Sequence, residues 1–150
     1  QKRLKKYREK NKERSKKIRQ ERDKKNRKKL NKYTRDRKKT NPSIRIRHQL
    51  SNRLWSALKR NNLYQSKCAS TMQLVGCTIE ELWKHLESSP SWEPWMTREN
   101  YGKGGWDVDH ILPCASFDLK CPVQQLACFH WSNLQPLEHI KNVTKGSKIL

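Results

Sequence analysis

The chain has 150 residues, with 35 Lys or Arg against 14 Asp or Glu and a formal net charge of +21. That length allows one ordinary domain with an appended arm, and the charge calls for a polyanionic partner: nucleic acid, an anionic membrane or an acidic protein. No run approaches the ~20 apolar residues of a membrane span and no signal-type apolar stretch is present, so the expectation is a soluble, intracellular protein that is not secreted and has no membrane partner.

Residues 1–42 read as a basic arm. Residues 1–40 hold 22 Lys or Arg and 5 Asp or Glu, so about +17 of the charge lies in that quarter, and the rest carries an ordinary +4. Residues 1–40 have no Gly or Pro and are rich in helix formers, which predicts a mainly helical segment. Like-charge repulsion opposes that helix when it is free, and phosphates would relieve the repulsion. A membrane-surface helix would need a broad apolar face; the arm offers only Leu4, Tyr7, Ile18, Leu30 and Tyr33. Nucleic acid is therefore the expected partner.

Asn41-Pro42 is a capping residue followed by a first-turn proline. The following helix should bury Ile46, Leu50, Leu54, Ala57 and Leu58 and turn Arg45, Arg47, Arg53, Lys59 and Arg60 outward as phosphate contacts. A short helix around 72–75 should stop at Gly76, and Thr78 with Glu81 reads as a capping box opening a further helix. Residues 89–105, with Pro90, Pro94, Gly102, Gly104 and Gly105, form a loop. "WDVDHIL" then reads as a strand, "CPVQQLACFH" as a turn and short helix, "HWSNLQPL" as a second extended piece and "EHIKNVTKGSK" as a last helix. Trp55, Trp83, Trp106 and Trp131 are expected in the core, and Trp92 and Trp95 are base-stacking candidates. His48, His85 and His130 are expected to be structural or surface groups.

Cys68, Cys77, Cys114, Cys121 and Cys128 are odd in number, and none forms a C-x-x-C pair; they read as reduced thiols of a reducing compartment, cytoplasmic or, in a eukaryotic or viral host, nuclear. Cys114, Cys121, Cys128 and His130 have zinc-ligand chemistry, but their spacings match no common knuckle, so structural zinc is not expected.

The chemistry concentrates at Asp109-His110. A phosphodiester hydrolase needs a base to activate water and a cation to neutralise the developing charge. His110 suits the base, and Asp109 is a hard-oxygen ligand for Mg²⁺ or Mn²⁺. Asn142 on the last helix is the candidate second ligand, with Lys145 on the same face to touch phosphate and Lys141 and Lys148 as further nucleic-acid contacts. Asn133, an amide among apolar residues, should fix the connecting loop whose carbonyl orients His110.

D-H-I-x-P (Asp109–Pro113), N-L-Q-P-L (Asn133–Leu137) and N-x-x-K (Asn142–Lys145), in that order, resemble the HNH nuclease family and its ββα-metal finger, in particular HNH endonucleases of phages, large viruses and mobile introns. The similarity runs over roughly residues 43–148. It implies an α+β fold: an HNH domain over 43–150, with the finger at about 105–148, preceding helices and the basic arm. It implies His110 as general base, Asp109 and Asn142 as ligands of one Mg²⁺ or Mn²⁺ ion, and Asn133 as the loop-fixing residue. Asn at 142 suggests a hard cation, Glu138 departs from the apolar residue usual after N-L-Q-P-L, and His139 is favoured as a surface or phosphate-contacting group.

The function expected is a divalent-metal-dependent endonuclease on double-stranded DNA, nicking with its one site, with a homing-type role suggested by family analogy. Two rivals stand beside it: a catalytically silent nucleic-acid-binding protein, and a nuclease subunit of a larger assembly whose arm holds RNA or a protein. The target sequence and oligomeric state are not written in these residues.

Overall fold

The computed structural model describes residues 2–63, 67–102 and 104–149. Gln1 and Leu150, the outer limits of the expected arm and domain, lie outside the described residues. The chain divides into two units between Thr40 and Asn41.

The first unit is one helix, α1 (Lys2–Thr40), of 39 residues. It would be about 58 Å long at ~1.5 Å per residue. Tyr7, Ile18, Leu30 and Tyr33 are all exposed. Its ion pairs, such as Arg19–Asp23 at 3.9 Å, lie in solvent, where pairing contributes little. The five acids of residues 1–40 leave about +17 of positive charge on this unit.

The second unit is a mixed α+β domain, with more helix than strand and one two-stranded antiparallel sheet. In α2 (Pro42–Arg60), Asn41 caps the first turn by accepting Ile44 N–H at 3.1 Å. Ile46, Leu50, Leu54, Ala57 and Leu58 are buried, one stripe at helical spacing. Fully burying such side chains contributes about 1.5–3 kcal/mol each. α3 (Thr71–Val75) and α4 (Ile79–Glu87) each open on a complete capping box, Ser70 with Gln73 and Thr78 with Glu81. Between them Gly76 takes φ +76°, and a Cβ there would lie 2.8 Å from His130 Cδ2. Only glycine meets both demands.

The described residues of 89–105 form no regular element beyond one bridge. The loop is nevertheless anchored: Trp106 Nε1 donates to Thr97 O at 2.8 Å and Asn100 Nδ2 to Trp95 O at 2.8 Å. Strand β1 (Trp106–His110) pairs with β2 (Leu134–Glu138), with Val108 opposite Pro136 and His110 opposite Leu134. Ile111 N–H donates to Asn133 O, and His139 N–H to Gly105 O. Antiparallel pairs alternate between bonded and non-bonded, so those two bonds make Val108–Pro136 a non-bonded pair. Pro136 therefore removes no donor from the ladder. On the outer side of β2, His85 Nε2 contacts Leu134 O at 2.8 Å. The connection between the strands carries a 3-10 turn (Cys114–Ser116), α5 (Pro122–Phe129) and a second 3-10 turn (Trp131–Asn133); α6 (His139–Lys145) follows β2.

One core cluster gathers Ile46, Leu50, Trp83, Trp106, Val108 and Leu134. The other joins Leu54, Leu58, Leu74, Leu119, Cys128 and Phe129. Trp83 and Trp106 are fully buried and Trp131 is half-buried against the first cluster. Trp55 corrects the expectation of a core residue: it sits on the outer face of α2, is 44% exposed and has the Lys67 ammonium 5.4 Å from its ring centre. Trp92 corrects the stacking expectation: its ring meets Trp106 edge to face at 5.0 Å and is spent on packing. Trp95 is exposed. Among the described residues no helix is long and apolar enough to cross a membrane.

Candidate functional site

Strand alternation sets the site. On β1, Trp106 and Val108 belong to the core, so Asp107 and Asp109 project from the other face. α6 packs against both strands and brings three side chains to those acids. Lys145 Nζ lies 2.5 Å from Asp109 Oδ2 and also donates to His110 O at 2.6 Å. Gln135 Nε2, from the residue paired with Asp109, donates to the same Oδ2 at 3.2 Å. Asp107 Oδ2 takes His139 Nδ1 at 2.7 Å and Asn142 Nδ2 at 3.3 Å, with Arg53 Nη2 of α2 at 3.9 Å.

This arrangement orients Asn142. Its Nδ2 is turned to Asp107, and its Oδ1 accepts no hydrogen bond among the described residues. Asp109 Oδ1 is likewise without a hydrogen bond there, its partner oxygen taking both donors. Two uncommitted hard oxygens therefore belong to residues lining one cleft, of about 620 Å³, together with His110, Arg53, Arg60 and Cys114. A carboxylate and an amide oxygen beside an open cleft are a donor set of the kind that hard divalent cations take.

His110 ends β1 and is half-buried. Its ring stands edge-on to Phe129 at 5.6 Å. Nε2 is sealed from solvent and has no hydrogen-bond partner among the described residues. That leaves Nδ1 as the nitrogen that can serve the cleft. No carbonyl bonds the ring among the described residues, unlike the orientation expected of the connecting loop. Asn133 does pin that loop: Oδ1 accepts Leu112 N–H at 2.9 Å, and Nδ2 donates to Leu112 O at 3.1 Å and Cys128 O at 2.8 Å.

Beside His110 lie Cys114 and Cys128, whose sulfurs are 3.5 Å apart. A hydrogen bond from Cys128 lowers the Cys114 pKa against the opposing effect of burial, and the His110 ring adds to the lowering. The same contact, with burial, raises Cys128. Cys121 and His130, which the sequence grouped with these thiols, are not in the cluster; His130 Nδ1 is instead 2.8 Å from Ser132 Oγ.

One expected contact is corrected, and two others have partners within the protein. Lys145 is 3% exposed and cannot touch phosphate; its charge is taken by Asp109 and two backbone carbonyls. Arg45 is half-buried: Nη2 donates to Arg98 O at 2.8 Å and Glu99 O at 3.0 Å, and the guanidinium lies over Tyr101. Lys141 is exposed but answered by Glu93 and Glu138, each at 3.1 Å. Of the rest, Arg53 and Arg60 line the cleft, Lys59 and Lys148 are exposed, and Arg47 opens onto a different groove beside Gly76 and Thr78. Asp107 was missed, although the alternation in "WDVDH" places it on the Asp109 face.

No protein-family profile and no solved structure matches the chain. Two uncharacterized proteins of Acanthamoeba polyphaga mimivirus are similar to it. One is 36% identical over 107 residues, covering 71% of this chain and 44% of that protein. The other is 33% identical over 128 residues, covering 85% of this chain and 53% of that protein. The chain thus spans about half the length of these relatives.

Proposed function

We propose that residues 43–150 form an HNH-type ββα-metal domain acting as a divalent-metal-dependent DNA endonuclease, with the basic arm as a nucleic-acid contact. The observation that supports this most is the convergence on one cleft of a half-buried imidazole and an aspartate from the first motif and an asparagine from the third, rimmed by two arginines.

In this reading His110 Nδ1 accepts a proton from water in the cleft, and the resulting hydroxide attacks a backbone phosphate. Asn133 holds the Leu112 backbone, and with it the strand end that carries the imidazole. Lys145, through His110 O, is a second positioning residue. Asp109 Oδ1 and Asn142 Oδ1 would hold Mg²⁺ or Mn²⁺, with Asp107 fixing the Asn142 amide. Such an ion supplies positive charge to the phosphate in flight and to the leaving 3′-oxygen. Arg53 and Arg60 offer phosphate contacts that place the backbone, and the products are 5′-phosphate and 3′-hydroxyl ends.

The test is conversion of supercoiled plasmid to open circle with Mg²⁺, with EDTA and with His110→Ala, beside a binding measurement on the variant. Nicking that requires both metal and His110, in a variant that still binds DNA, is the expected result. A silent DNA-binding protein is the second reading, favoured by the Lys145 ammonium already seated on Asp109. Tight binding by the wild type without nicking under Mg²⁺ or Mn²⁺ would decide for it.

A further inference from the structure

We propose that His110, Cys114 and Cys128 form a binding site for zinc or a similarly thiophilic divalent ion, distinct from the hard-oxygen pair Asp109 and Asn142. One ring nitrogen of His110 and the two sulfurs lie within 4.8 Å of one another. Zinc holds Cys sulfur at about 2.3 Å and His nitrogen at about 2.0 Å in a tetrahedron, which sets its sulfurs roughly 3.8 Å apart. The sulfurs here are 3.5 Å apart, so small side-chain shifts admit the ion. Nε2 is the nitrogen that fits the role, being sealed from water with no hydrogen-bond partner among the described residues. Three protein ligands leave one position open, and Cys114 and His110 both line the cleft, so a water or a phosphate oxygen can fill it.

Binding carries a tautomeric consequence. Zinc uses the Nε2 lone pair, so the single proton of the neutral imidazole must sit on Nδ1. Both sulfurs coordinate as thiolates, and any proton still on Cys114 or Cys128 is released to solvent as the ion binds. Nδ1 then donates a hydrogen bond and cannot accept a proton from water. This inhibitory effect rests on the proposed nuclease reading; the site itself does not.

The reduced 150-residue chain is titrated with Co²⁺ and followed by absorption. One ion per chain, with sulfur-to-cobalt charge transfer, intense tetrahedral bands and displacement by Zn²⁺, is expected. Cys114→Ser, Cys128→Ala and His110→Ala should each weaken binding by more than about a hundredfold, beyond what losing an outer-shell partner costs, while circular dichroism shows each still folded. A variant combining Cys68→Ser, Cys77→Ser and Cys121→Ser should keep the spectrum. Absence of the charge-transfer band, its persistence in Cys114→Ser or its loss in the triple variant would each overturn the site. In the plasmid assay, micromolar zinc should stop Mg²⁺-dependent nicking by the wild type and leave Cys128→Ala active. Equal inhibition of both would remove the catalytic link. A chain that shows the cobalt spectrum but never nicks would keep the site and lose the nuclease reading.

Discussion

Lys145 and Asp109 are charges that the interior of a small domain holds only in company. With the lysine side chain 1% and the aspartate side chain 9% exposed, removing one partner leaves the other unpaired. Lys145→Met should therefore lower stability by about 3–5 kcal/mol, and Asp109→Asn combined with Lys145→Met should recover most of it; urea denaturation of the set measures both. Asn133 is a neutral counterpart, serving three backbone groups with one amide. Asn133→Ala orphans them and should cost about 1–3 kcal/mol or more. If the variant denatures at the wild-type urea concentration, the pinning described for Asn133 is wrong.

At the scale of elements, two short helices depend on their ends. Thr78→Ala removes a cap and should cost about 1 kcal/mol. Gly76→Ala adds left-handed strain, about 1–2 kcal/mol, to a collision with His130, so its melting temperature should fall further than that of Thr78→Ala. The α2 stripe, the Asn41 cap and the Thr78 box were legible in the sequence because they are local: spacing and one or two side chains decide them. The site was legible only in part. Asp109, His110, Asn133 and Asn142 stand in recognisable order, but the partner of Lys145 depends on how α6 crosses β1. The approach of Cys128 to Cys114 depends on α5 folding back over the strand end. Neither is encoded in a spacing, and for the same reason Arg45 and Lys141 read as free cations although the loop at 89–105 supplies carbonyls to one and Glu93 to the other.

The whole molecule divides its labour by charge. Residues 1–40 carry about +17 of the +21 and form a unit separate from the folded domain. Deleting them should leave the cooperative unfolding of residues 41–150 unchanged. Under the proposed DNA contact the same deletion should flatten the dependence of affinity on salt, since each phosphate contact adds about −0.9 to the slope of log K against log salt. Fluorescence anisotropy across a salt series reads that slope, and an identical slope for both chains would remove the arm from the interface.

The outer rim of β2 has a further bearing on how this protein meets others. A lone two-stranded ribbon ordinarily exposes a row of backbone donors and acceptors on which another chain can be templated. Here Pro136 leaves a gap in the donor row and His85 occupies the Leu134 carbonyl. The outer rim of β2 therefore offers no unbroken row of donors and acceptors, which works against self-polymerisation and strand addition along that side. A macromolecule that engages that rim must rely largely on side chains.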